Sequence, residues 1–281
     1  DASGDVMWSW HIWVTDYELG TDLKTVTNSG THTMLPYNLG WCNGTIRTYA
    51  ARSVKVRFTQ NETGEQRVIT VTQAYGKDII RGNQPYYQWG RKDPMLPWDG
   101  IGDTGNKTWY DASGTSSTNL HTASWDNHTA IINGILNPGT YCTYIRMDNK
   151  YYNLWAADNT SNSKTLATST KTVYDPCPVG YKVPLLNAFG TFSSYSGEYD
   201  EDEKGLYFTC NEGKVFFPLT GYRNQSSGGI FTGSTGSYGY YWSVVPCDSY
   251  RSYQFQIQSS TYTTNTINSR AWGSAVRPVQ E

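Results

Sequence analysis

The stretch YYWSVVPCDSYRSYQFQIQSSTYTTN, residues 240–265, contains five tyrosines and one tryptophan and decides how the chain is understood. In its second half apolar side chains alternate with glutamines, so that Tyr253, Phe255 and Ile257 share one face and three glutamines share the other. Side chains alternate between the two faces of a strand, and this spacing therefore predicts a strand with one apolar face.

The remaining aromatic side chains of this stretch either fill a core or face something outside the protein. Large rings supply much of a core's area, so we expect Tyr240 and Trp242, or Tyr241 alone, to be buried. Alternation is lost at 247–253 and again at 261–270, which favours an exposed ligand surface there. Tyrosine and arginine suit such a surface because they offer large contact areas with a polar tip. The candidates are Ser249, Tyr250, Arg251, Tyr262, Asn265, Asn268 and Arg270.

The composition favours short strands joined by many turns. Of the 281 residues only 16% are charged, whereas 15% are aromatic, including 23 tyrosines and 11 tryptophans. Aromatic and β-branched side chains pack well on a pleated sheet, whereas long exposed helices need Glu, Lys, Ala and Leu. The net charge of −2, without clusters of Lys and Arg, argues against nucleic acid as a partner. No apolar run approaches the ~18 residues of a membrane-spanning helix.

The first 75 residues predict an incomplete β-sandwich. VMWSWHIWV (6–14) alternates with Val6, Trp8, Trp10, Ile12 and Val14 on one apolar face. SVKVRFTQ, the turn NETG and EQRVITVTQ predict a β-hairpin over 53–73. Three strands make too thin a sandwich to be stable alone, so we expect strands from upstream sequence or from another subunit to complete it.

Residues 76–281 predict a second domain, after a linker at 74–83. HTAIINGILNPGTY predicts a helix that ends at Pro138, with Ile131 and Ile135 on one face. GKVFFPLTGYRN and SYQFQIQSS are its clearest strands, separated by Gly- and Ser-rich turns. The fold class expected is therefore mainly β with an α+β part and many irregular loops.

From residue 85 onward six ordered motifs resemble the C-terminal domain of Bacteroidales surface proteins related to the Fibrobacter major-paralogue family. They are PYYQWGRKDPMLP (85–97), YNLWAADNT (152–160), KTVYDPCPVGYKVP (171–184), FPLTGYRN (217–224), YGYYWSVVP (238–246) and RAWGSAVRPVQE (270–281). The N-terminal WSWHIWVTDY and the hairpin resemble the β-sandwich of fimbrillin-like adhesins. The resemblance implies a C-type-lectin-like, formylglycine-generating-enzyme-like fold for 76–281.

The same C-terminal pattern resembles the variable proteins of diversity-generating retroelements, in which mutagenesis of asparagine codons rewrites the ligand site. This resemblance implies ligand contacts between Val244 and Arg270, and it adds Val244, Val245 and Cys247 to the candidates. Relatives often end in VRCV, whose cysteine would pair with that of DPCP. Pro278 stands there in this chain, so Cys177 is either unpaired or has another partner.

The function implied is a cell-surface or fimbrial adhesin, located at the fimbrial tip, that binds a host or bacterial surface protein or glycan without catalysis. Other fimbrial subunits are expected as partners through donor-strand complementation, with the chain extracellular and anchored to the outer membrane through its precursor or assembly. Asp1 begins in mid-pattern, which indicates a piece of a longer precursor. The alternatives are a surface glycan-binding lipoprotein of a polysaccharide-uptake system and an enzyme of the formylglycine-generating type.

Catalytic and metal-binding motifs are missing from the sequence. No H-E-x-x-H pattern, G-x-S-x-G elbow or C-x-x-C pair occurs, and the five cysteines form no activated local signature. No cofactor is expected. A structural calcium ion stays open at Asp99, Asp103 and Asn106, whereas EYDEDEKG (198–205) is expected to be a solvated loop. The Glu-Pro-Asn and Trp-Asn-Asp motifs of calcium-dependent lectins do not occur, so the resemblance does not imply calcium-dependent sugar binding.

Overall fold

The computed structural model of the chain describes residues 2–26, 31–95, 109–110, 114–117, 121–126, 129–147, 152–158, 160–161, 166–190, 192 and 197–281. It is 43% strand and 5% helix, which confirms the prediction of a mainly β fold with irregular loops. No helix among these residues is both long and apolar enough to span a membrane.

The described strands of the N-terminal half are β1 (Lys24–Val26), β2 (His32–Met34), β3 (Thr45–Tyr49), β4 (Arg52–Thr59), β5 (Gln66–Gln73), β6 (Gly76–Ile80), β7 (Tyr86–Gln88), β8 (Pro94–Met95), β9 (Trp109–Tyr110), β10 (Ser116–Ser117), β11 (Thr122–Asp126) and β12 (Tyr141–Arg146). Those of the C-terminal half are β13 (Tyr181–Lys182), β14 (Glu198–Asp200), β15 (Gly205–Cys210), β16 (Gly213–Pro218), β17 (Tyr238–Pro246), β18 (Arg251–Gln258), β19 (Tyr262–Ser269), β20 (Gly273–Ser274) and β21 (Val279–Gln280). The α-helix is α1 (Thr129–Leu136), and Leu186–Ala188 and Thr232–Ser234 are 3₁₀ helices.

The predicted hairpin over 53–73 is confirmed and is longer than expected. β4 and β5 pair antiparallel from Arg52–Gln73 to Thr59–Gln66, and β3 and β6 continue the same pairing from Thr45–Ile80 to Tyr49–Gly76. We call this two-stranded structure, residues 45–80, the β-ribbon. Every residue of β3, β4 and β5 is exposed, so the β-ribbon packs against little else in the described part of the chain.

Residues 24–26 and 31–41 lie before the predicted domain boundary at residue 75 and pack with the C-terminal part of the chain. β1 and β2 belong to a four-stranded sheet of order β1–β2–β21–β13, in which Met34 pairs with Val279 near the C-terminus. Val26 and Met34 lie in one core cluster with Phe208 and Phe217. Residues 24–26 and 32–41 thus belong to the core of the larger part, because their apolar side chains find their neighbours there and not in the β-ribbon.

The predicted strand at 6–14 is wrong. This segment is extended but forms no ladder with another described strand, and Trp10, Ile12 and Val14 are 78%, 80% and 89% exposed. Side chains of the opposite phase hold it: the Trp13 indole donates to the carbonyl of Trp41 at 3.0 Å, and His11 Nδ1 meets the Tyr87 hydroxyl at 2.7 Å. The alternation reflects these side-chain contacts and not a sheet.

The main core lies where the sheet β14–β15–β16 meets the sheet β17–β18–β19. Phe255 of β18 stacks on Phe189 with ring centroids 4.8 Å apart, and both rings are fully buried. Phe217 of β16 meets Phe255 edge-on at 5.8 Å. Aromatic side chains of both sheets, Phe208, Phe217, Tyr241 and Phe255, therefore meet in this cluster, and the two clearest predicted strands lie here.

β17 is buried on both faces, so the two alternatives that the sequence left open, Tyr240 with Trp242 or Tyr241 alone, are both buried. Tyr241 packs in one cluster with Phe255, and Trp242 packs in a second cluster with Trp89, while Tyr240 is also buried. Tyr253, expected to pack with Phe255, is only partly buried and lies outside that cluster, because it pairs with the exposed Ile267 of β19.

The predicted helix is confirmed as α1, which ends at Leu136 before Pro138. Arg91 lies under its C-terminal end: its Nη1 donates to the carbonyl of Thr140 at 2.7 Å and to Gln88 Oε1 at 2.9 Å. A cation is favourable beside the last carbonyls of a helix. The buried Arg91 therefore joins α1 to the strands that precede and follow it.

Candidate functional site

The structure separates the ten predicted ligand-contacting residues into three groups. Three of them come together at one exposed loop: Ser249, Tyr250 and Arg251. Three belong to β19: Tyr262, Asn265 and Asn268. The other four are buried: Val244, Val245, Cys247 and Arg270.

Exposure was wrongly expected for the third group, whose four residues are buried. Val244 and Val245 are 1% and 2% exposed, because β17 has the body of the protein on both faces. Cys247 is 4% exposed, and its backbone N–H closes the following turn by donating to the carbonyl of Arg251 at 3.0 Å. These three residues support the loop from below and offer no surface to a ligand.

Arg270 is fully buried and has a structural role. Its guanidinium carbon lies 4.2 Å from the ring centroid of Trp89 and 4.6 Å from that of Tyr152, so two aromatic rings hold the cation. Its Nη1 donates to the carbonyl of Tyr152 at 2.5 Å and its Nη2 to the carbonyl of Asp248 at 2.6 Å. Burial lowers the pKa of Arg270 to about 10, which leaves it charged at neutral pH.

The loop that Arg270 holds is a tight turn centred on Asp248. One carboxylate oxygen of Asp248 accepts the backbone N–H groups of Tyr250 and Arg251 at 2.9 and 2.8 Å. The other oxygen accepts the Arg251 side chain through Nε at 2.8 Å. The backbone N–H of Arg270 also donates to the carbonyl of Tyr250 at 2.8 Å. Four hydrogen bonds thus fix the direction in which Tyr250 points.

Two further side chains reach this loop from β12. The rings of Tyr144 and Tyr250 lie 5.8 Å apart, and the guanidinium of Arg146 lies 5.1 Å from the centroid of the Tyr250 ring. Tyr144 and Tyr250 are each 38% exposed, and Arg146 is exposed as well. The backbone N–H of Met147 donates to the carbonyl of Ser249 at 3.1 Å, which joins β12 to the loop. We call the exposed surface of Tyr144, Arg146, Ser249, Tyr250 and Arg251 the Tyr250 patch.

Sequence reasoning missed Tyr144 and Arg146. The signal was present in YCTYIR (141–146), where they stand two residues apart and so point to the same side of a strand. They lie more than 100 residues before the C-terminal stretch, and nothing local indicates that they meet it. Tyr144 and Arg146 reach Tyr250 because β12 lies beside the loop in the folded chain.

The three residues of β19 are not part of this patch. The Tyr262 hydroxyl donates to the carbonyl of Phe192 at 2.6 Å, and its ring meets Phe208 edge-on, so it borders the core. Asn268 is half-buried and donates to Gln254 Oε1 at 2.6 Å. Asn265 is exposed but lies four residues along β19 from Ser269, which pairs with Arg251, and is therefore roughly 13 Å from the loop.

The electrostatics of the Tyr250 patch favour a ligand with acidic groups. Burial raises the pKa of Asp248, but its hydrogen bonds from Arg251 and from backbone N–H groups outweigh that effect and leave the pKa below its usual value. The carboxylate therefore stays ionised and engaged with Arg251. Arg146 carries the other positive charge of the patch. Tyrosine rings with guanidinium groups can supply contact area, cation–π contacts and hydrogen bonds to acceptors.

The cysteines form no disulfide. All five are free thiols. Burial raises the pKa of both Cys142 and Cys177, which keeps these two protonated and unreactive at neutral pH. The free Cys177 agrees with one of the two states expected from Pro278, namely the unpaired one.

Among the described residues no group of three or more His, Cys, Asp or Glu side chains is arranged to hold a metal ion. The open calcium position at Asp99, Asp103 and Asn106 lies outside the described residues. In the acidic loop at 198–205, Asp200 Oδ1 accepts the backbone N–H groups of Asp202 and Glu203 at 2.9 and 2.8 Å. Asp202 also pairs with Lys77 of the β-ribbon.

No family model, curated protein or solved structure matches the chain. The function therefore has to be argued from the residues and their geometry.

Proposed function

We propose that this chain is a non-catalytic adhesin of the bacterial cell surface, at the tip of a fimbria, and that it captures an extracellular ligand through the Tyr250 patch. The observation that carries the proposal is the pairing of exposed Tyr144, Arg146 and Tyr250 with a loop fixed from below by Arg270. Rigid exposed aromatic side chains bind at low entropic cost, since little freedom is lost on contact.

The ligand class follows from the charges of the patch. The guanidinium of Arg146 lies 5.1 Å from the centroid of the Tyr250 ring, while Asp248 is engaged by Arg251. A surface protein or glycan that presents carboxylate or sulfate groups would meet two guanidinium groups and two tyrosine hydroxyls. The planar donor fork of arginine suits such oxygen pairs.

The β-ribbon supports the assembly part of the proposal. One face carries Val54, Val56, Phe58, Ile69 and Val71, which are between 37% and 60% exposed. In the described part of the chain β4 and β5 form a sheet of two strands only, so each has an edge free to accept another strand. A strand from another fimbrial subunit would cover this face and pair with an edge. Photo-crosslinking from position 56 on native cells tests this: capture of a fimbrial subunit supports the contact, and capture of none contradicts it.

The ligand site is tested by binding the full chain to arrays of host surface proteins and of sulfated or carboxylated glycans. We expect Tyr250→Ala and Arg146→Ala each to weaken binding by about tenfold or more, since such side chains carry most of the energy of an interface. Tyr75→Ala is the matched control, because it removes a tyrosine of the β-ribbon that is 55% exposed.

Two results would overturn the proposal. One is unchanged affinity of both patch variants for a ligand that the wild-type chain binds. The other is failure of the wild-type chain to bind any protein or glycan of the arrays.

A further inference from the structure

Two adjoining cavities lie on the N-terminal side of the core and share no residue with the Tyr250 patch. One, of about 260 Å³, is enclosed between the segment 13–22 and residues 35–37. The other, of about 440 Å³, is bordered by Trp41, Tyr207 and Phe216. Pro36 and Tyr37 line both, so the two cavities adjoin at these residues, and we call them together the Tyr37 groove. Its volume falls in the range of small-molecule sites.

Aromatic rings line the groove along its whole length. Tyr17 and Tyr37 stack with centroids 4.1 Å apart and planes 20° apart at the junction of the two cavities. In the larger cavity Tyr207 and Phe216 lie 4.8 Å apart. These rings are half-buried, and the face of an aromatic ring is apolar and slightly negative. Such faces suit the C–H surface of a sugar ring.

Hydrogen-bonding groups stand beside these rings. The exposed carboxylates Asp16, Glu18 and Asp22 border the smaller cavity and can accept hydrogen bonds from hydroxyl groups. The Tyr17 hydroxyl is buried within hydrogen-bonding reach of Tyr37 and Asn43. Burial, and then the neighbouring Tyr37, raise the pKa of Tyr17 to about 12, so at neutral pH it keeps its proton.

The charges along the groove exclude a strongly charged ligand of either sign. The smaller cavity carries three carboxylates, which would repel a polyanion. The larger one carries Lys24 and Lys214 beside Glu203, which would repel a polycation along that half. An elongated ligand that crosses both halves therefore cannot carry the same charge along its whole length, whereas a neutral ligand is repelled by neither half.

From these features we propose that the Tyr37 groove binds a neutral oligosaccharide, with its sugar rings on Tyr37 and the rings of the larger cavity and its hydroxyls on the carboxylates Asp16, Glu18 and Asp22. This site is separate from the adhesin function proposed for the Tyr250 patch. The segment 13–22 contributes no strand to the sheets, and in this proposal its role is to line the ligand site.

The probes are neutral gluco-, manno-, xylo- and galacto-oligosaccharides, measured against the full chain by saturation-transfer NMR and calorimetry. Oligogalacturonate and heparin fragments serve as anionic comparators. We expect at least one neutral series to bind with a Kd below about 1 mM and the anionic series to bind more weakly. No neutral binding at that concentration, or stronger anionic binding, would overturn the proposal.

Variants locate the binding. Tyr37→Ala is expected to weaken it by about tenfold or more, and Tyr37→Phe is expected to keep most of it. Tyr250→Ala is the control and leaves oligosaccharide binding unchanged, whereas it weakens the ligand of the Tyr250 patch. Oligosaccharide binding that survives Tyr37→Ala, in a protein with unchanged circular dichroism, would contradict the site. If the oligosaccharide binds at the Tyr37 groove but no ligand binds through Tyr250, only the adhesin proposal is contradicted.

Discussion

The β-ribbon and the pair β17–β18 have the same local construction and opposite surroundings. Both are antiparallel, and apolar side chains alternate with polar ones in the β-ribbon as they do in β18. In the β-ribbon Val54 and Phe58 are 60% and 56% exposed, whereas Phe255 and Ile257 of β18 are fully buried. Nothing in the strands themselves accounts for the difference. It arises because the sheet β14–β15–β16 packs against β18 and no described element packs against the apolar face of the β-ribbon.

Two contributions to the stability of a strand pair, its backbone hydrogen bonds and the burial of its apolar face, cannot be told apart from a sequence pattern. Alternation selects the extended backbone and the ladder of hydrogen bonds in both places. Burial of the apolar face, which contributes most of the stabilisation, depends on a second layer. A two-stranded ribbon without that layer is marginal in water. The β-ribbon is therefore expected to be much less sensitive to truncation of its apolar side chains than the core.

The largest expected effect is that of truncating a core ring. Phe255→Ala removes a ring that stacks on Phe189 at 4.8 Å and touches Phe217, and we expect a loss of about 3–5 kcal/mol in the free energy of unfolding. Phe58→Ala is the matched control and is expected to cost less than about 1 kcal/mol, because its ring is already half in water. Denaturant unfolding monitored by circular dichroism gives both values. Equal losses would mean that another segment covers the β-ribbon.

The next effect compares two arginines that meet the same loop. Arg270→Met leaves the carbonyls of Asp248 and Tyr152 without their donors, and we expect it to cost about 1–3 kcal/mol of stability. Arg251→Met removes an exposed ion pair with Asp248 and is expected to leave stability unchanged within error. Thermal and denaturant unfolding measure the difference. A neutral Arg270→Met would contradict the anchoring role assigned to this side chain.

The smallest effect concerns pH and the docking of the N-terminal segment. Burial lowers the pKa of His11 and outweighs the opposing effect of Asp93, so the folded protein holds a neutral ring against the Tyr87 hydroxyl. In the unfolded chain His11 binds a proton near pH 6.5, and in the folded chain it binds a proton only at a lower pH. The free energy of unfolding therefore falls as pH drops through 6.5 and stops falling once folded His11 is protonated.

His11→Gln keeps an acceptor for Tyr87 but does not titrate, so we expect it to lose part of this acid sensitivity. The comparison has to be made against wild type at each pH, for two reasons. Burial also lowers the pKa of His32, which adds to the same slope. Burial raises the pKa of Asp175 to about 6, which stabilises the fold as pH falls toward 3.8 and acts in the opposite direction. Identical pH profiles for wild type and His11→Gln would contradict the assignment.

Part of the candidate site was predictable. Loss of alternation after Pro246 correctly marked Tyr250 and Arg251 as exposed, because a tight turn breaks the two-residue period, whereas Ser249 is half-buried. The same reasoning wrongly predicted that Arg270 is exposed, because a long cationic side chain at the end of a strand is usually in contact with solvent. Two aromatic rings and two carbonyls from distant parts of the chain make its burial acceptable. Tyr144 and Arg146 were missed because Tyr250, which they contact, is distant from them in sequence.

By itself, the sequence determined what depends on neighbouring residues: the mainly β class, the hairpin with its turn, the end of α1 before Pro138, and the strands β16 and β18. Backbone geometry and side-chain periodicity are local, so a single sequence carries them. Only the tertiary structure decided that β1 and β2 join β21, that β17 is covered on both faces, that 6–14 is no strand, and that Arg270 lies beneath the Tyr250 patch. Burial is a property of residues far apart in the chain that meet in space, and no local pattern encodes which of them will meet.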